Sequence, residues 1–411
     1  MISPLCYPVA AAESIVNAKL FMTLTDEGYN VDVITRASEN HFYLSDGIIF
    51  NNVLKQNVIS LKYSKGLNYT QLTDFILAKL KTGHYYRGVS WAVHAINVAE
   101  QYHKINNYDI IITFSPPSEI VGLYMARKYG LKWIANWNDP YPVKKYPAPY
   151  ASGLDYRLKA KEIMLLQDIV KYASWHTFPS NRLREYMISY FPEKEHCYSY
   201  SGVIPHVLYK NTLPENETLL SIDKHDGEFV IIHTGKLVSP RLPYNFLKGY
   251  RKFLDQTTTN SRLVLVGHID ESFANMVKDM GLHNKIDFMG NRSYLNCLSA
   301  IKQADVALLI EANCTEGIFL PSKFVDYVQC NKPVICVSPK VGTVNDIVTE
   351  YGGGVVADPL NSDDICKKIK LIYEDIIYRN GKNYKLDRLR EQFSQNFVIS
   401  CYKKIFRKIL G

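Results

Sequence analysis

Short apolar runs, each closed by a turn or N-cap residue and followed by a stretch of helical composition, recur along this chain and restrict it to a layered α/β architecture. Ile110-Ile111-Ile112-Thr113-Phe114, Phe229-Val230-Ile231-Ile232-His233-Thr234, Leu263-Val264-Leu265-Val266 and Val306-Ala307-Leu308-Leu309-Ile310 are the clearest. Their apolar residues are contiguous rather than alternating, which marks strands buried on both faces, as in parallel sheets covered by helices. Further runs stand at residues 31–35, 132–137, 175–178, 285–290, 334–337 and 352–356. So many βα units in 411 residues imply two domains of ordinary size, each with its own core. Open parallel sheets gather ligands outside the carboxyl ends of their strands, so the segments just after these runs hold the functional candidates.

The opening Met1-Ile2-Ser3-Pro4-Leu5-Cys6-Tyr7-Pro8 reads as the end of a first strand and the loop after it. The expected apolar start of that strand is nearly missing; either it begins upstream or this edge is frayed. A helix follows to Asp26, preceded by Ala10-Ala11-Ala12, and a long helical region is expected from Leu154 to Tyr172. The polar interval 201–228, with Pro205 and Pro214, reads as a linker. Residues 146–150 and their prolines suggest a mobile loop.

A hydrophobic content of 47% with 21% charged residues is ordinary for a soluble globular protein. The eight cysteines include no C-x-x-C pair, which points to reduced thiols rather than a disulfide framework or zinc site. No signal peptide opens the chain and no apolar run approaches the ~18 residues of a membrane span, so a cytoplasmic location is expected. Between residues 51 and 99, Lys55, Lys62, Lys65, Lys79, Lys81 and Arg87 face only Asp74, with Tyr63, Tyr69, Phe75, Tyr85, Tyr86 and Trp91 among them. That stretch either docks on anionic lipid headgroups, peripherally on the inner face of a membrane, or is a helical face with solvated lysines. No RNA- or DNA-binding module accompanies the charge, so no nucleic acid is expected.

Thr315-Glu316-Gly317-Ile318-Phe319-Leu320-Pro321-Ser322-Lys323-Phe324-Val325-Asp326-Tyr327 reads as a loop and a short helix before the strand at Val334. Pro321 suits the first helical turn, where its missing N–H costs nothing. The free N–H groups of that turn and the helix dipole favour phosphate, and Lys323 adds a cation. Asp326 and Tyr327 follow at i+3 and i+4, on the lysine's face. A cation for phosphate beside a carboxylate for sugar hydroxyls suggests a nucleotide-sugar site.

This stretch resembles the donor-binding segment of retaining GT-B glycosyltransferases of the large family 4 type, in the P-S-K-x-x-E-Y variant of bacterial surface-polysaccharide enzymes. The resemblance implies two doubly wound Rossmann-like domains facing across a cleft. It also implies that Lys323 contacts the donor diphosphate and that Asp326, where the family carries Glu, binds the nucleotide ribose. The paired glutamates of the family, with seven residues between them, are absent; Glu316 stands two residues before the first of those positions and is the candidate for the donor sugar, with Gly317 beside it. Gly235-Lys236-Leu237-Val238-Ser239-Pro240-Arg241 resembles the family's Gly-Arg-Leu-Val segment and its downstream lysine, with the two cations exchanged. Arginine chelates phosphate oxygens bidentately whereas lysine acts as a point charge, so the exchange keeps charge and changes geometry. Asn291 and Arg292 occupy the place where family backbone meets the nucleobase. Asn138-Asp139-Pro140-Tyr141 resembles a segment at which other members carry an active-site histidine.

No Asp-x-Asp pair, P-loop, G-x-G-x-x-G fingerprint, H-E-x-x-H or G-x-S-x-G turn occurs. The resemblance, taken with these absences, implies a metal-independent retaining hexosyltransferase without cofactor. A UDP- or GDP-sugar is the co-substrate and a saccharide or lipid-linked saccharide the acceptor, in polysaccharide or lipopolysaccharide synthesis. Asp139, Lys236, Arg241 and Lys323 carry the reaction; Gly235, Asn291, Arg292, Glu316, Gly317 and Asp326 complete the donor site. The expected divisions are 1–203 on the acceptor side, 204–385 on the donor side, and a helical 386–411 returning to the first domain. A GT-B-fold sugar-nucleotide epimerase and an inactive scaffold are the alternatives.

Overall fold

A computed structural model describes residues 1–7, 9, 11–37, 57–62, 69–85, 88–114, 116–209 and 219–411. Pro8, Ala10, Lys55, Tyr63, Lys65, Tyr86, Arg87 and Pro214, named above, lie outside the described residues. The chain divides into two compact units. One comprises Met1–Tyr146, Ala151–Val207 and Gln395–Gly411; the other comprises Pro147–Tyr150 and Leu208–Ser394.

In the first unit β1 (Val33–Arg36) pairs with β2 (Val58–Leu61), and β3 (Ile110–Phe114), β4 (Lys132–Asn136), β5 (Trp175–Phe178) and β6 (Ser201–Val203) pair in that order, all parallel. Ile2 joins the two groups through parallel bridges to Ile34 and Thr113. The last helix, Gln395–Leu410, packs in this unit: Val398, Tyr402 and Phe406 share a core with Leu20, Leu24, Ile112 and Phe114.

Two sequence expectations are corrected here. The presumed linker begins with strand β6, whose three residues include a glycine and carry no periodic signal; pairing with β5 makes them a strand. The helix expected from Leu154 starts only at Ala160, where the Glu162 carboxylate accepts the Lys159 N–H at 2.8 Å and fixes the helix start.

The second unit holds six parallel strands: β7 (Phe229–Thr234), β8 (Ser261–Val266), β9 (Ile286–Gly290), β10 (Val306–Ile310), β11 (Val334–Val337) and β12 (Gly354–Ala357). Their order is β12-β11-β10-β7-β8-β9. The chain moves outward from β7 through β8 and β9, then returns to β10 on the other side of β7. This reversal opens a crevice at the carboxyl ends of β7 and β10, where Gly235 and Glu311 stand. β7 and β10 are buried at every position, as their unbroken apolar runs require. All eight cysteines are free.

Candidate functional site

In the second unit, the carboxyl end of β7 is fixed by a buried phenol. The Thr234 N–H donates to Tyr327 Oη at 3.1 Å, and that hydroxyl donates to Leu308 O of β10 at 3.2 Å. The helix carrying Tyr327 (Ser322–Gln329) is thereby tied to both central strands. Pro321 is its N-cap in extended conformation rather than its first helical residue, a correction to the sequence reading. The proline's missing N–H is an orphan of the helix start in either position.

Immediately after Thr234 the chain turns at Gly235 with φ +118, a left-handed value that favours glycine. The Gly235 N–H donates to Val266 O at 2.7 Å and the Gly267 N–H to Gly290 O at 2.8 Å, so three glycines line successive strand ends. A Cβ on Gly235 would lie 2.4 Å from Lys323 Nζ. The ammonium therefore rests on the bare Cα of the turn, in space that no other residue type would leave open.

Lys323 and Arg241 are close enough to repel each other. Burial first, and then the Arg241 guanidinium, lower the Lys323 pKa to about 8. Among the described residues neither forms an ion pair with a carboxylate. His233, fully buried beneath them, holds Leu308 O through Nδ1 at 2.9 Å and leaves Nε2 without a partner. Burial and the Lys323 charge depress its pKa well below the ordinary value, so it stays neutral. Asp326 draws the Lys323 pKa back up and Arg241 acts on the Glu311 carboxyl, yet among the described residues neither cation is held in an ion pair; at a strand–glycine turn and a helix start they form a receptor for an anion.

The other candidates distribute as follows. Lys236 is exposed, whereas Arg241 and Lys323 are half-buried. Asp326 accepts from Tyr294 Oη at 2.6 Å. Glu316 is half-buried; Gly317 gives its N–H to Val341 O at 2.9 Å and receives Thr343 N–H at 2.7 Å, so its backbone is engaged within the fold. Asn291 and Arg292 are exposed just past β9, and Arg292 Nη1 donates to Asn291 O at 2.9 Å.

Sequence reasoning missed Glu311, the first residue after β10. Its carboxylate accepts from Ser338 Oγ, and burial raises its pKa to about 7, with Ser338 and Arg241 opposing. Its position after a fully buried strand was a usable signal. Tyr294 and Tyr150 were also missed. Tyr150, in the second unit, meets Phe319 edge-on with centroids 5.8 Å apart and lies near Arg241.

In the first unit a separate group lies at the carboxyl ends of its strands. Asp139 follows β4 and is hydrogen-bonded by Tyr146; burial raises its pKa and that bond opposes the rise. Asn138 Nδ2 donates to Glu13 Oε1 at 3.2 Å. Glu119, in the first turn of the helix Ser118–Tyr129, is fully buried and neither carboxyl oxygen has a partner. Burial, with Glu13 adding to it, raises its pKa to about 8. Just before the loop 146–150, Tyr190 Oη donates to Tyr141 O at 3.0 Å and Tyr186 Oη to Lys145 O at 2.8 Å; within the loop the Tyr146 N–H donates to Val143 O at 3.0 Å and the Tyr150 N–H to Pro147 O at 2.9 Å.

Residues 217–395 match the family model described as "Glycosyl transferases group 1". No curated protein matches the chain by sequence. Among solved structures, HepE from Anabaena in complex with UDP and glucose is similar at a TM-score of 0.68 and 14% identity, over 99% of this chain and 98% of that one. Sucrose-phosphate synthase from Thermosynechococcus elongatus is similar at 0.65 and 15%, over 97% and 94%. The lipopolysaccharide outer core galactosyltransferase WaaB is similar at 0.58 and 14%, over 99% and 98%. The fold is GT-B.

Proposed function

We propose that this chain is a glycosyltransferase that takes a sugar from a nucleoside-diphosphate sugar and passes it, with retention and without a metal, to a saccharide or lipid-linked saccharide. The observation that carries this reading is the pair of cations Lys323 and Arg241, free of ion pairs among the described residues, with Lys323 seated on the Gly235 turn at a helix start. It lies within the segment matching the glycosyltransferase family model. HepE, a structure of similar fold, is described with UDP and glucose, which fits a diphosphate as the anion. In this reading the two cations stabilise the leaving diphosphate as its charge develops, with exposed Lys236 joining when donor binds. Asp326, oriented by Tyr294, takes the ribose, and Glu316 the donor sugar. Backbone and side chains around Asn291 and Arg292 meet the base. A thermal-shift panel of UDP, GDP and their sugars, followed by donor turnover with and without acceptor, tests the assignment. Absence of any nucleotide stabilisation argues for a scaffold, and epimer formation without acceptor argues for an epimerase.

Asp139 serves the acceptor side in this proposal. Asp139→Asn keeps the Tyr146 bond and the packing, so nucleotide affinity and melting temperature are expected to stay within error while turnover falls about tenfold or more. A fall in melting temperature with normal specific activity would assign Asp139 to the turn alone.

The acceptor-side unit also suggests a membrane partner on the cytoplasmic face. On the helix Tyr69–Thr82, Leu72, Ile76 and Leu80 recur every fourth residue and are 60%, 55% and 77% exposed, with Lys79 and Lys81 beside them. Among the described residues no helix is long and apolar enough to cross a membrane. Apolar insertion plus about 1 kcal/mol per basic residue near anionic lipid predicts co-sedimentation with anionic vesicles that weakens in high salt. Equal binding to neutral vesicles, or none to either, would leave this helix a surface for something else.

A further inference from the structure

Met1 to Ser3 form the end of a central strand. The Ile2 N–H donates to Ile112 O at 2.8 Å and the Phe114 N–H to Ile2 O at 3.0 Å; on the other side, Ser3 N–H donates to Ile34 O at 2.9 Å and Ile34 N–H to Met1 O at 2.9 Å. The Met1 nitrogen adds a bond to Asp32 O at 2.7 Å. This is a parallel ladder made on both edges. The flanking strands continue further back than Met1 does, through Ile111 and Ile110 on one side and Asp32 and Val31 on the other. N–H and C=O of a strand residue point the same way, so Ile112 turns its N–H, like its bonded carbonyl, toward the space between them.

That space is a cavity of about 720 Å³. Val31 and Ile110 border it along the sheet, Leu24 and Phe406 close one face, and Ala99 and Met125 belong to its lining as well. At its mouth the Met1 ammonium is buried, and burial pushes its pKa down to about 6. A peptide N–H in the same position would make the Asp32 bond with no charge to desolvate.

We propose that this cavity is a strand berth, filled by an extended apolar segment peptide-bonded to the Met1 nitrogen that runs parallel between Val31–Asp32 and Ile110–Ile111. Four residues at a rise of ~3.3 Å would reach about 13 Å back from Met1. Helices cover both faces of this sheet, so every position of the segment is apolar. It would bond Ile112 N–H and Ile110 O, turn the terminal ammonium into an amide, and make one continuous sheet of β1–β2 and β3–β6.

The test extends the full chain before Met1 with Met-Ile-Ile-Leu-Val or with Met-Gly-Ser-Gly-Ser. All four tryptophans, Trp91, Trp133, Trp137 and Trp175, lie in the first unit, so their fluorescence reports its unfolding alone. The apolar extension is expected to raise that melting temperature by several degrees over the Gly-Ser extension and to slow exchange of the Ile112 amide at least tenfold. Proline in place of the extension's leucine should abolish both gains. If only the apolar extension yields folded protein, the berth is supported equally. Indistinguishable melting and exchange for the two extensions would overturn the proposal. So would laurate stabilising the unextended chain more than the apolar extension does, which would make the cavity an acyl-chain site.

Discussion

Lys323→Ala is expected to weaken UDP or GDP binding about ten- to a hundredfold while leaving the second unit folded and no less stable. Hydrogen bonds to a charged partner contribute about 1.5–3 kcal/mol, and each 1.4 kcal/mol is about a factor of ten. The stability half of the prediction follows from the same geometry. In the free protein burial and the neighbouring Arg241 charge outweigh the attraction of Asp326 and lower the ammonium's pKa to about 8. A lysine whose folded-state pKa lies below its unfolded value is less protonated folded than unfolded between those two values. Stability therefore rises with pH across that window, and below it the charged lysine weakens the fold. Removing the amine removes that cost.

Nucleotide binding by the wild type should also fall from pH 7 to pH 9, as the free protein loses the Lys323 proton that the diphosphate needs. The alanine variant should lack this pH dependence, because it lacks the amine that loses the proton. Calorimetric titration of both proteins at the two pH values decides the matter. Equal affinities at pH 7, or parallel pH profiles, would remove Lys323 from the phosphate site.

The centre of the second unit's sheet could be read from its sequence because β7, β8, β10 and β11 are apolar over most of their length, as burial on both faces favours. The Gly235 turn and Lys323 could also be read, since a glycine after a buried strand and a lysine at a helix start are local patterns. Tyr294 could not, because its bond to Asp326 spans 32 residues and arises only when two helices pack. Glu311 sits in the sequence as one acid in a loop; its elevated pKa comes from burial in the fold, which the hydrogen bond from Ser338 opposes. Strand β6 escaped for the opposite reason, being three residues made into a strand by β5 rather than by its own composition. Local chemistry is legible in the chain, while partners supplied by packing are not.

Glu119 offers the largest stability effect expected of a single substitution in the first unit. Its carboxyl is fully buried, neither oxygen has a partner, and burial, reinforced by Glu13, raises its pKa to about 8. At pH 7 the folded protein therefore holds this group mostly protonated while the unfolded chain, with an ordinary glutamate pKa, does not. An acid with a raised folded-state pKa contributes stability that is fully present below the unfolded pKa and is lost as pH rises toward the folded one. At 1.36 kcal/mol per pH unit, the loss at neutral pH is roughly 3 kcal/mol. Glu119→Gln keeps the shape and removes the titration, so the variant should match the wild type near pH 4.5 and exceed its stability by about that amount at pH 7. Denaturant unfolding followed by tryptophan fluorescence reads this unit alone, since all four tryptophans lie within it. If the difference between the two proteins were the same at both pH values, the Glu119 carboxyl would have to be ionised in the fold, held by a cation or hydrogen bonds that its buried surroundings do not supply.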